Sequence, residues 1–559
     1  MKPISSNMFK LTAISAMILS TTSASAALYQ VIEVKPQTTF AFESVYGVAI
    51  QPGNVADDKP LGCFADNNCE SSFKLAGETR LVATHAGQAI DGLSYREEAP
   101  FGIDNGFIYV QDDARDFERY CRSELRYAIC ETWADIRWNI WKKEINGDQT
   151  PNAIAFVEGQ ATPIDETKNV VVNSLTSDAK PIGIKIAAGY VTGSRRNSVK
   201  ALVANTSINI DAGLQTRAWK TDGTYTVGSI AHEKTNNQGN FYTSKGAIWD
   251  SSGTITEIPW QTTNPERDNR LAQGSLRDVT IKDGNIYAVG YNTFYDDRNF
   301  MQASVSSVKV GESNWITKPV TGATVRENGT GGDFIHSHSL LTAVNEHGIA
   351  IGEAKLSRAE SGAYANRLFV VPDINDPKAN FLNGSLFFAG AGGKAGAINN
   401  FNEIVGQIDT EETREVGGKP RRKRGFIYPY GTLEQGSVPE RQAIFNNRAW
   451  LLDDLTNGSE FSNNNQYRII AANDINDAGV IAATALKCTG GYDSTAHNAQ
   501  CGAGKGQEKT VAVKLVPIAG KTHEDISPRG MDDLVVERNG AGLGLWSLIL
   551  GGLLWFRSK

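Results

Sequence analysis

Short apolar segments separated by turns rich in Asn, Asp and Gly recur along the second half of the chain. The pattern is clearest at residues 343–352, 397–406 and 474–483, and a looser copy covers residues 279–290. Each copy contains two β-type runs joined by a polar turn, which is typical of a β-hairpin. A further apolar run of strand length follows several copies, as at residues 425–428. The chain therefore repeats a unit of at least three short strands.

Weaker copies of this unit occur earlier, near residues 44–49, 181–184 and 218–219. Units of three to four strands in series are typical of a β-propeller, in which a blade takes about 40–50 residues. We therefore predict an all-β fold, a β-propeller-like array of about six or seven blades. Unrelated hairpins in two β-sandwich domains are the alternative, because hairpin signals recur in every all-β fold.

One segment, at about residues 113–143, departs from the β pattern because it has few turn formers and a helical spacing of aromatic and charged residues. We predict one or two helices here, inserted among or capping the early blades. The segment contains three candidate partner-binding residues: Trp133, Trp138 and Trp141. The alternative is that an amphipathic stripe packs on the propeller.

The N-terminal end is typical of a secretory signal peptide. Lys2 and Lys10 precede a short apolar run, and residues 24–26 supply the small residues of a cleavage site. We therefore assign residues 1–26 to the signal and predict an exported protein. The repeat domain follows, at residues 27–535.

The C-terminal end, residues 536–559, is predicted to be an apolar transmembrane or sorting helix. Residues 540–556 carry no charge, and Arg557 and Lys559 follow them. A helix of this length spans roughly 26 Å, just enough to cross a bilayer core. A C-terminal core helix is the alternative, although such helices rarely lack a polar face.

Charge excludes one class of partner and the cysteines indicate a compartment. The 55 Lys and Arg residues are outnumbered by 62 Asp and Glu, so nucleic acid is not the expected partner. An even number of cysteines in an exported chain indicates disulfides, and neighbour pairing is the simplest of several connectivities. The candidates are Cys63 with Cys69, Cys121 with Cys130, and Cys488 with Cys501. A straight helix would hold the middle pair about 13.5 Å apart, so either the chain bends there or each cysteine pairs elsewhere.

Candidate chemistry is sparse. His336 and His338 alternate, so a strand would place both imidazoles on one face, where they are candidates for a metal site; a polar strand start is the alternative. The basic run at residues 421–424 lies between two predicted strands, which favours a solvated loop over a contact with anionic polysaccharide. The sequence contains no nucleophile elbow, phosphate loop, dinucleotide fingerprint or zincin motif, so we assign no catalytic residue and no cofactor.

The residues at 398–406 and 425–428 resemble the extracellular HAF repeat, an Ile-Asn-x-x-Gly-x-Ile-Val-Gly hairpin followed by an Ala-Phe strand. The C-terminal tail resembles the GlyGly-CTERM sorting signal of Gram-negative secreted proteins, which implies removal by an intramembrane sorting protease. The order of signal, repeats and tail is similar to an exported Gram-negative family of unknown function. That resemblance implies a fold and an envelope location, and supplies no catalytic residues.

These observations predict a non-enzymatic, exported, cell-envelope-associated or secreted protein that binds a surface glycan or an envelope protein. The membrane contact would be made by residues 540–556. One alternative is a secreted hydrolase or lyase that acts on polysaccharide through acidic residues in a propeller channel. Another is a structural envelope component whose helical segment docks a partner.

Overall fold

The computed structural model describes residues 27–532, with gaps at 38–39, 54, 57–58, 83–86, 100–112, 193–194, 204–213, 237–238, 268–269, 295–297, 328–330, 362, 414–420, 432–434 and 459–461. The predicted signal peptide and the predicted C-terminal helix therefore lie outside the described residues. Among the residues that are described, no helix is long and apolar enough to cross a bilayer.

The described chain forms a β-propeller of seven antiparallel blades. Blades 1 and 2 have three strands each: Ser44–Ile50, Leu75–Arg80 and Ala153–Val157, then Asn169–Leu175, Pro181–Ile186 and Val199–Leu202. Blade 3 contains Gln215–Thr221, Thr226–Asn236, Gly239–Trp249 and Ile255–Glu257. Blade 4 contains Ser275–Lys282, Asn285–Thr293, Met301–Lys309 and Ile316–Pro319. The propeller prediction is confirmed, with the larger of the two predicted blade numbers.

The later blades follow the same order from the centre outwards. Blade 5 contains Val325–Arg326, Phe334–Val344, Ala350–Leu356, Asn366–Val371 and Asn380–Phe381, with Phe334–Val344 innermost. Blade 6 contains Gly393–Ile398, Glu403–Asp409, Lys423–Pro429 and Trp450–Leu451. Blade 7 contains Tyr467–Ile475, Ile481–Cys488, Glu508–Pro517 and Tyr29–Glu33. Two small hairpins lie outside the blades, Val191–Thr192 with Arg195–Arg196 and Glu266–Arg267 with Arg270–Leu271.

The ring is closed by strands from opposite ends of the described chain. Tyr29–Glu33 pairs antiparallel with Glu508–Pro517, so that Tyr29 lies opposite Pro517. Adjacent inner strands contact each other all the way round, including the innermost strands of blades 7 and 1. This closure leaves the edges of the blades short and protected, which is how propellers avoid a long unpaired strand edge.

The hydrophobic core lies between neighbouring blades. One cluster joins Ala76 and Val157 of blade 1 to Val170 and Val172 of blade 2, and all four side chains are buried. Similar clusters join blades 3 and 4, 4 and 5, 5 and 6, 6 and 7, and 7 and 1. Since each blade is covered on both faces, its strands read as near-continuous apolar runs.

The Asn of the sequence repeat has the same role in blades 5, 6 and 7. In each, the side-chain oxygen accepts a hydrogen bond at 2.9–3.0 Å from the backbone N–H four residues later, which closes the turn. The side-chain amide then donates to a backbone carbonyl of the next blade: Asn345 to Asn399, Asn399 to Asn476, and Asn476 to Gln51, at 3.0–3.1 Å. The repeated residue therefore couples neighbouring blades as well as shaping each hairpin.

The Gly that ends several copies of the repeat is required because the inner strand leaves no room for a side chain there. A Cβ placed on Gly290, Gly352 or Gly406 would lie 2.0, 2.2 or 2.5 Å from a carbonyl oxygen of the inner strand. Real Cβ atoms do not approach that closely, so only Gly lets the second strand of the blade pair with the inner strand there.

The predicted helical segment forms an insertion in blade 1. Helix α1, Ala114–Tyr120, is capped by Asp113 and continues into a single π turn at Cys121–Leu125. Arg126 then adopts a left-handed conformation, with φ of 58°, and helix α2 covers Glu131–Ile145. Two shorter helices, α3 at Pro439–Ile444 and α4 at Leu452–Leu455, belong to blade 6.

The six cysteines form three disulfides between sequence neighbours, Cys63–Cys69, Cys121–Cys130 and Cys488–Cys501. The chain bends between α1 and α2, which brings the Cα atoms of the middle pair to 5.8 Å. The simplest predicted pairing is therefore the one formed. Three disulfides are typical of proteins in an oxidising compartment, which suggests an exported protein.

Candidate functional site

Each of the seven inner strands contains a β-bulge at its centre. The pairing register shifts by one residue near the middle of every inner strand, and blades 5 and 7 have two shifts each. One central cavity is lined by the residues at the shifts of blades 1–4, 6 and 7 and at the Leu341/Ala343 shift of blade 5: Val48, Asn173, Trp219, Arg277, Thr342, Gly396, Ile470 and Asn473. A bulge redirects side chains and increases the local twist, which explains how strands that are otherwise buried on both faces present residues to the channel.

The cavity has a volume of about 590 Å³, and its wall includes the helical insertion. We define the cap as residues 87–99 together with residues 113–145. Five cap residues of the helices and the intervening turn line the cavity: Tyr120, Leu125, Tyr127, Trp133 and Arg137. Pockets that hold small molecules span roughly 300–1,000 Å³. The channel is therefore large enough to hold a ligand.

A buried ion pair attaches the cap to the small hairpin that lies between the second and third strands of blade 2. Arg196 donates to both carboxylate oxygens of Glu144 on α2, at 2.7 and 2.9 Å, and also to the backbone carbonyls of Leu93 and Ser94. Trp141 of the same helix is fully buried beneath the Arg196 guanidinium, whose carbon lies 5.0 Å from the ring centroid. Helix α2 of the cap is therefore held in place by an ion pair as well as by packing.

A second network joins the cap to blade 1. Glu78 is buried and accepts from Arg80 at 3.1 Å, from the backbone N–H of Val172 at 2.8 Å, and from Arg96 of the cap. Arg80 also donates to Asp91 of the cap at 2.5 Å. Buried charges that are matched and hydrogen-bonded in this way hold the chain in one arrangement.

A third network joins the cap to blades 3 and 4. Arg277 donates to Glu97 at 2.7 Å and to Glu98 at 2.9 Å, and its guanidinium carbon lies 3.5 Å from the centroid of the Trp219 ring. Burial opposes the charge of Glu98, but Arg277 and Arg217 outweigh it, so the pKa of Glu98 is lowered. Glu98 also accepts a hydrogen bond from the hydroxyl of Tyr291 at 2.7 Å, so its carboxylate is held by buried partners of the protein itself.

Glu353 is a channel carboxyl that forms no ion pair within the described part of the chain. Glu353, on strand Ala350–Leu356, lines the cavity and accepts a hydrogen bond from the backbone N–H of Ala395 at 3.1 Å. Burial raises its pKa to about 7, while the charges of Lys394 and Lys423 act in the opposite direction. A carboxyl that exchanges its proton near neutral pH is suited to acid or base catalysis.

The predicted tryptophans lie inside the cap. Trp141 is fully buried, Trp133 is 6% exposed and Trp138 is partly buried against them. This packing is that of the amphipathic alternative, with the addition that Trp133 lines the channel. The candidate partner-binding role of the three residues stays a prediction.

The two candidate metal ligands have other neighbours. His336 stacks on Phe381 with ring centroids 4.5 Å apart, and burial together with Arg367 lowers its pKa to about 4. His338 lies edge-on to Phe300, and its Nδ1 accepts from the backbone N–H of Met301 at 3.3 Å. Within the described ranges, no cluster of three His, Cys, Asp or Glu residues could hold a metal ion.

The expectation of a solvated basic loop at residues 421–424 is wrong for two of its members. Arg421 is 2% exposed and donates to the backbone carbonyl of Gly390 at 2.8 Å. Arg424 is also buried and lies 2.8 Å from a carboxylate oxygen of Asp453. Lys423 lines the channel. The run is basic because it supplies partners to buried acids and carbonyls, which sequence spacing does not reveal.

Comparison with known proteins gives a family. Residues 204–559, which include blades 3–6 and the three inner strands of blade 7, match the profile of a family described as "Protein of unknown function (DUF3466)". The chain belongs to the DUF3466 family. The finer resemblances to HAF repeats and to the GlyGly-CTERM tail find no support in this match and remain predictions. No curated protein matches the chain.

Solved structures show only distant likeness. A protein of unknown function from Dyadobacter fermentans is 9% identical, with 60% of this chain and 84% of that chain covered and a TM-score of 0.30. An α-L-arabinanase mutant from Cellvibrio cellulosa is 10% identical, with 47% and 90% covered and a TM-score of 0.24. A sucrose-6-phosphate hydrolase from Lactobacillus gasseri is 8% identical, with 61% and 73% covered and a TM-score of 0.22. Likeness at this level carries no argument about function.

Proposed function

We propose that this chain is an exported binding protein whose capped central channel binds a segment of a surface glycan. The observation that carries the proposal is the single cavity of about 590 Å³, to which all seven inner strands and the cap contribute. Its wall combines aromatic rings, such as Trp133, Trp219 and Tyr127, with amide and charged groups. Apolar and aromatic surface with a few placed polar groups is the usual lining of a ligand pocket.

A substitution that fills the channel tests this proposal. Thr342 is a partly exposed channel residue at the bulge of blade 5, so Thr342→Trp places an indole in the cavity. Thr224→Trp is the matched control, because Thr224 is exposed in the turn between the first two strands of blade 3. The wild type and the control are expected to bind on a glycan array and to gain thermal stability with the bound glycan, whereas Thr342→Trp loses both. Equal binding by all three proteins, or an empty array together with an empty pulldown from envelope extract, would refute the proposal.

Export and sorting belong to the same proposal. The disulfides favour an oxidising compartment, while the signal at residues 1–26 and the tail at residues 536–559 remain predictions from sequence. Intact mass of the native protein, measured in membrane and medium fractions, tests both ends. Loss of both ends in the medium fraction is the expected result, and an unprocessed chain in the cytosol contradicts it.

A second candidate, a hydrolase or lyase acting on polysaccharide, is favoured by one residue. Glu353 lines the channel and has a pKa of about 7 because of burial, as a general acid or base requires. If the channel is catalytic, turnover of some member of a polysaccharide panel is expected and Glu353→Gln abolishes it. Glu346→Gln is the control, because Glu346 is exposed in a hairpin turn. No turnover across the panel leaves binding as the function.

A further inference from the structure

Arg137 projects from the cap into the channel. It lies on α2 and lines the cavity beside Trp133. Its guanidinium carbon is 4.0 Å from the centroid of the Trp133 ring, and its Nη1 donates to the backbone carbonyl of Trp133 at 3.2 Å. A guanidinium carries five N–H donors, so this geometry fixes its plane and leaves most donors for another acceptor.

Arg137 has no acidic partner among the described residues, since no carboxylate there lies within ion-pairing distance of it. The acid that acts on it most through charge is Asp91, which is already bonded to Arg80 at 2.5 Å. Burial lowers the pKa of Arg137 to about 10, so the side chain is still charged at neutral pH. The other channel arginines differ, because Arg96 and Arg277 each pair with a glutamate.

Lys394 supplies a second unmatched cation on the wall of the same cavity. It lies in the inner strand of blade 6, its side chain is exposed, and it forms no ion pair within the described part of the chain. The neighbouring channel residues of this strand are Gly393, Ala395 and Gly396, whose small side chains leave room beside the ammonium group. Among the residues that the structure describes, Arg137 and Lys394 are therefore two cations on the cavity wall that form no ion pair, although the charge of Lys394 acts on nearby Glu353.

We propose that Arg137 and Lys394 form a subsite for an anionic group, and that the glycan bound in the channel is one whose sugars carry carboxylate or sulfate. This inference rests on the proposed binding function. A guanidinium held flat by a ring offers two parallel N–H donors, which match the two oxygens of a carboxylate or sulfate. Lys394 adds a point charge and is not restricted to one geometry.

The experiment compares charged and neutral oligosaccharides by calorimetry. The probes are trigalacturonate, a sulfated disaccharide, and maltotriose as the neutral sugar, each titrated into the wild-type protein, Arg137→Gln, Arg137→Lys and Lys394→Gln. Arg115→Gln is the matched control, because Arg115 is an exposed arginine of the same cap. Arg137→Gln is expected to weaken binding of the anionic probe about 10- to 100-fold, as loss of charge-assisted hydrogen bonds does, and to leave maltotriose affinity unchanged.

The other outcomes separate the two proposals. Arg137→Lys keeps the positive charge but loses the two parallel N–H donors, so it should bind the anionic probe more tightly than Arg137→Gln and more weakly than the wild type. The anionic probe that the wild type binds more tightly shows whether the group is a carboxylate or a sulfate. Equal affinity for charged and neutral sugars, or an unchanged affinity in Arg137→Gln, overturns the anionic subsite while channel binding stands. A wild type that binds none of the probes overturns the subsite, and the array result with Thr342→Trp then decides the proposed function.

Discussion

Replacing Asn399 by Ala should destabilise the propeller strongly, because this one side chain shapes a turn and links two blades. Asn399 is 4% exposed. Its oxygen accepts from the backbone N–H groups of Phe401 at 3.0 Å and Glu403 at 2.9 Å. Its amide donates to the Glu403 carboxylate at 2.7 Å and to the carbonyl of Asn476 on blade 7 at 3.1 Å.

The magnitude follows from those four hydrogen bonds. Three join neutral groups and contribute about 1 kcal/mol each, and the bond to a carboxylate contributes about 1.5–3 kcal/mol. Water can replace part of what is lost, so we expect Asn399→Ala to lower the free energy of unfolding by about 3–5 kcal/mol. Asn285→Ala is the control, since the Asn285 side chain, at the first residue of its strand, makes one solvent-exposed hydrogen bond and should change stability by about 0.5 kcal/mol or less.

The assay is guanidinium unfolding with disulfides intact, followed by tryptophan fluorescence and circular dichroism. Asn399→Asp separates the two roles of the residue, because it keeps the acceptors, loses the donors and sets a second carboxylate against Glu403. The pKa of that new carboxyl should be raised, so its destabilising effect is present above that pKa and declines as the pH falls. A change below about 1 kcal/mol for Asn399→Ala would refute the role assigned to the repeated Asn.

Three further predictions concern buried groups. Arg441, on α3, is fully buried and donates to both oxygens of Glu403, at 2.8 and 2.5 Å. Arg441→Met should therefore lower the free energy of unfolding by about 3–5 kcal/mol, measured with guanidinium, and adding Glu403→Gln should restore part of that stability. Burial raises the pKa of Glu353 to about 7, so ionisation of Glu353 should lower the free energy of unfolding by about 3 kcal/mol as the pH rises from about 4.5 to above 7. Unfolding curves measured over a pH series should show this loss in the wild type and not in Glu353→Gln. Replacing Cys121 and Cys130 by Ser should cost about 3 kcal/mol and speed limited proteolysis within the cap, as mapped by mass spectrometry.

Contrary results are distinct for each. An Arg441→Met protein as stable as the wild type would mean that Glu403 finds another partner. Parallel pH curves for the wild type and Glu353→Gln would show that Glu353 stays ionised in the fold. Cleavage that begins in the blades, and leaves the cap intact in the Cys-to-Ser protein, would contradict a local role for that disulfide.

Much of the fold could be predicted because the signal is local. The Asn of each repeat closes its turn with atoms no more than four residues away, and the following Gly is required by the strand next to it. The Asn turn recurs at residues 343–352, 397–406 and 474–483, and the terminal Gly recurs in the first two of these copies, so the hairpins and the propeller could be predicted from sequence. The weak early copies also correspond to blades, at Ser44–Ile50, Pro181–Ile186 and Gln215–Thr221.

The candidate site could not be predicted in the same way. A bulge is a mismatch in register between two strands, so nothing in the inner strand alone shows that Trp219, Arg277 or Thr342 faces a channel. The pKa of Glu353 depends on its burial, beside Ala395 of the next blade, and Arg137 reaches the cavity only because α2 lies over it. The aromatic spacing at residues 113–143 was the only sequence signal that pointed toward the cap.

The sequence by itself determined the local units of this protein: strands with apolar runs, Asn turns, the glycines that permit close pairing, and a helical insertion. The tertiary structure decided how many units close the ring, because the last blade is completed by Tyr29–Glu33 from the opposite end of the described chain. It also decided the charges of the channel, since a side chain is matched or unmatched only once distant segments are packed together. Local hydrogen bonding and sterics act over a few residues, whereas closure and electrostatics depend on contacts that only the assembled propeller supplies.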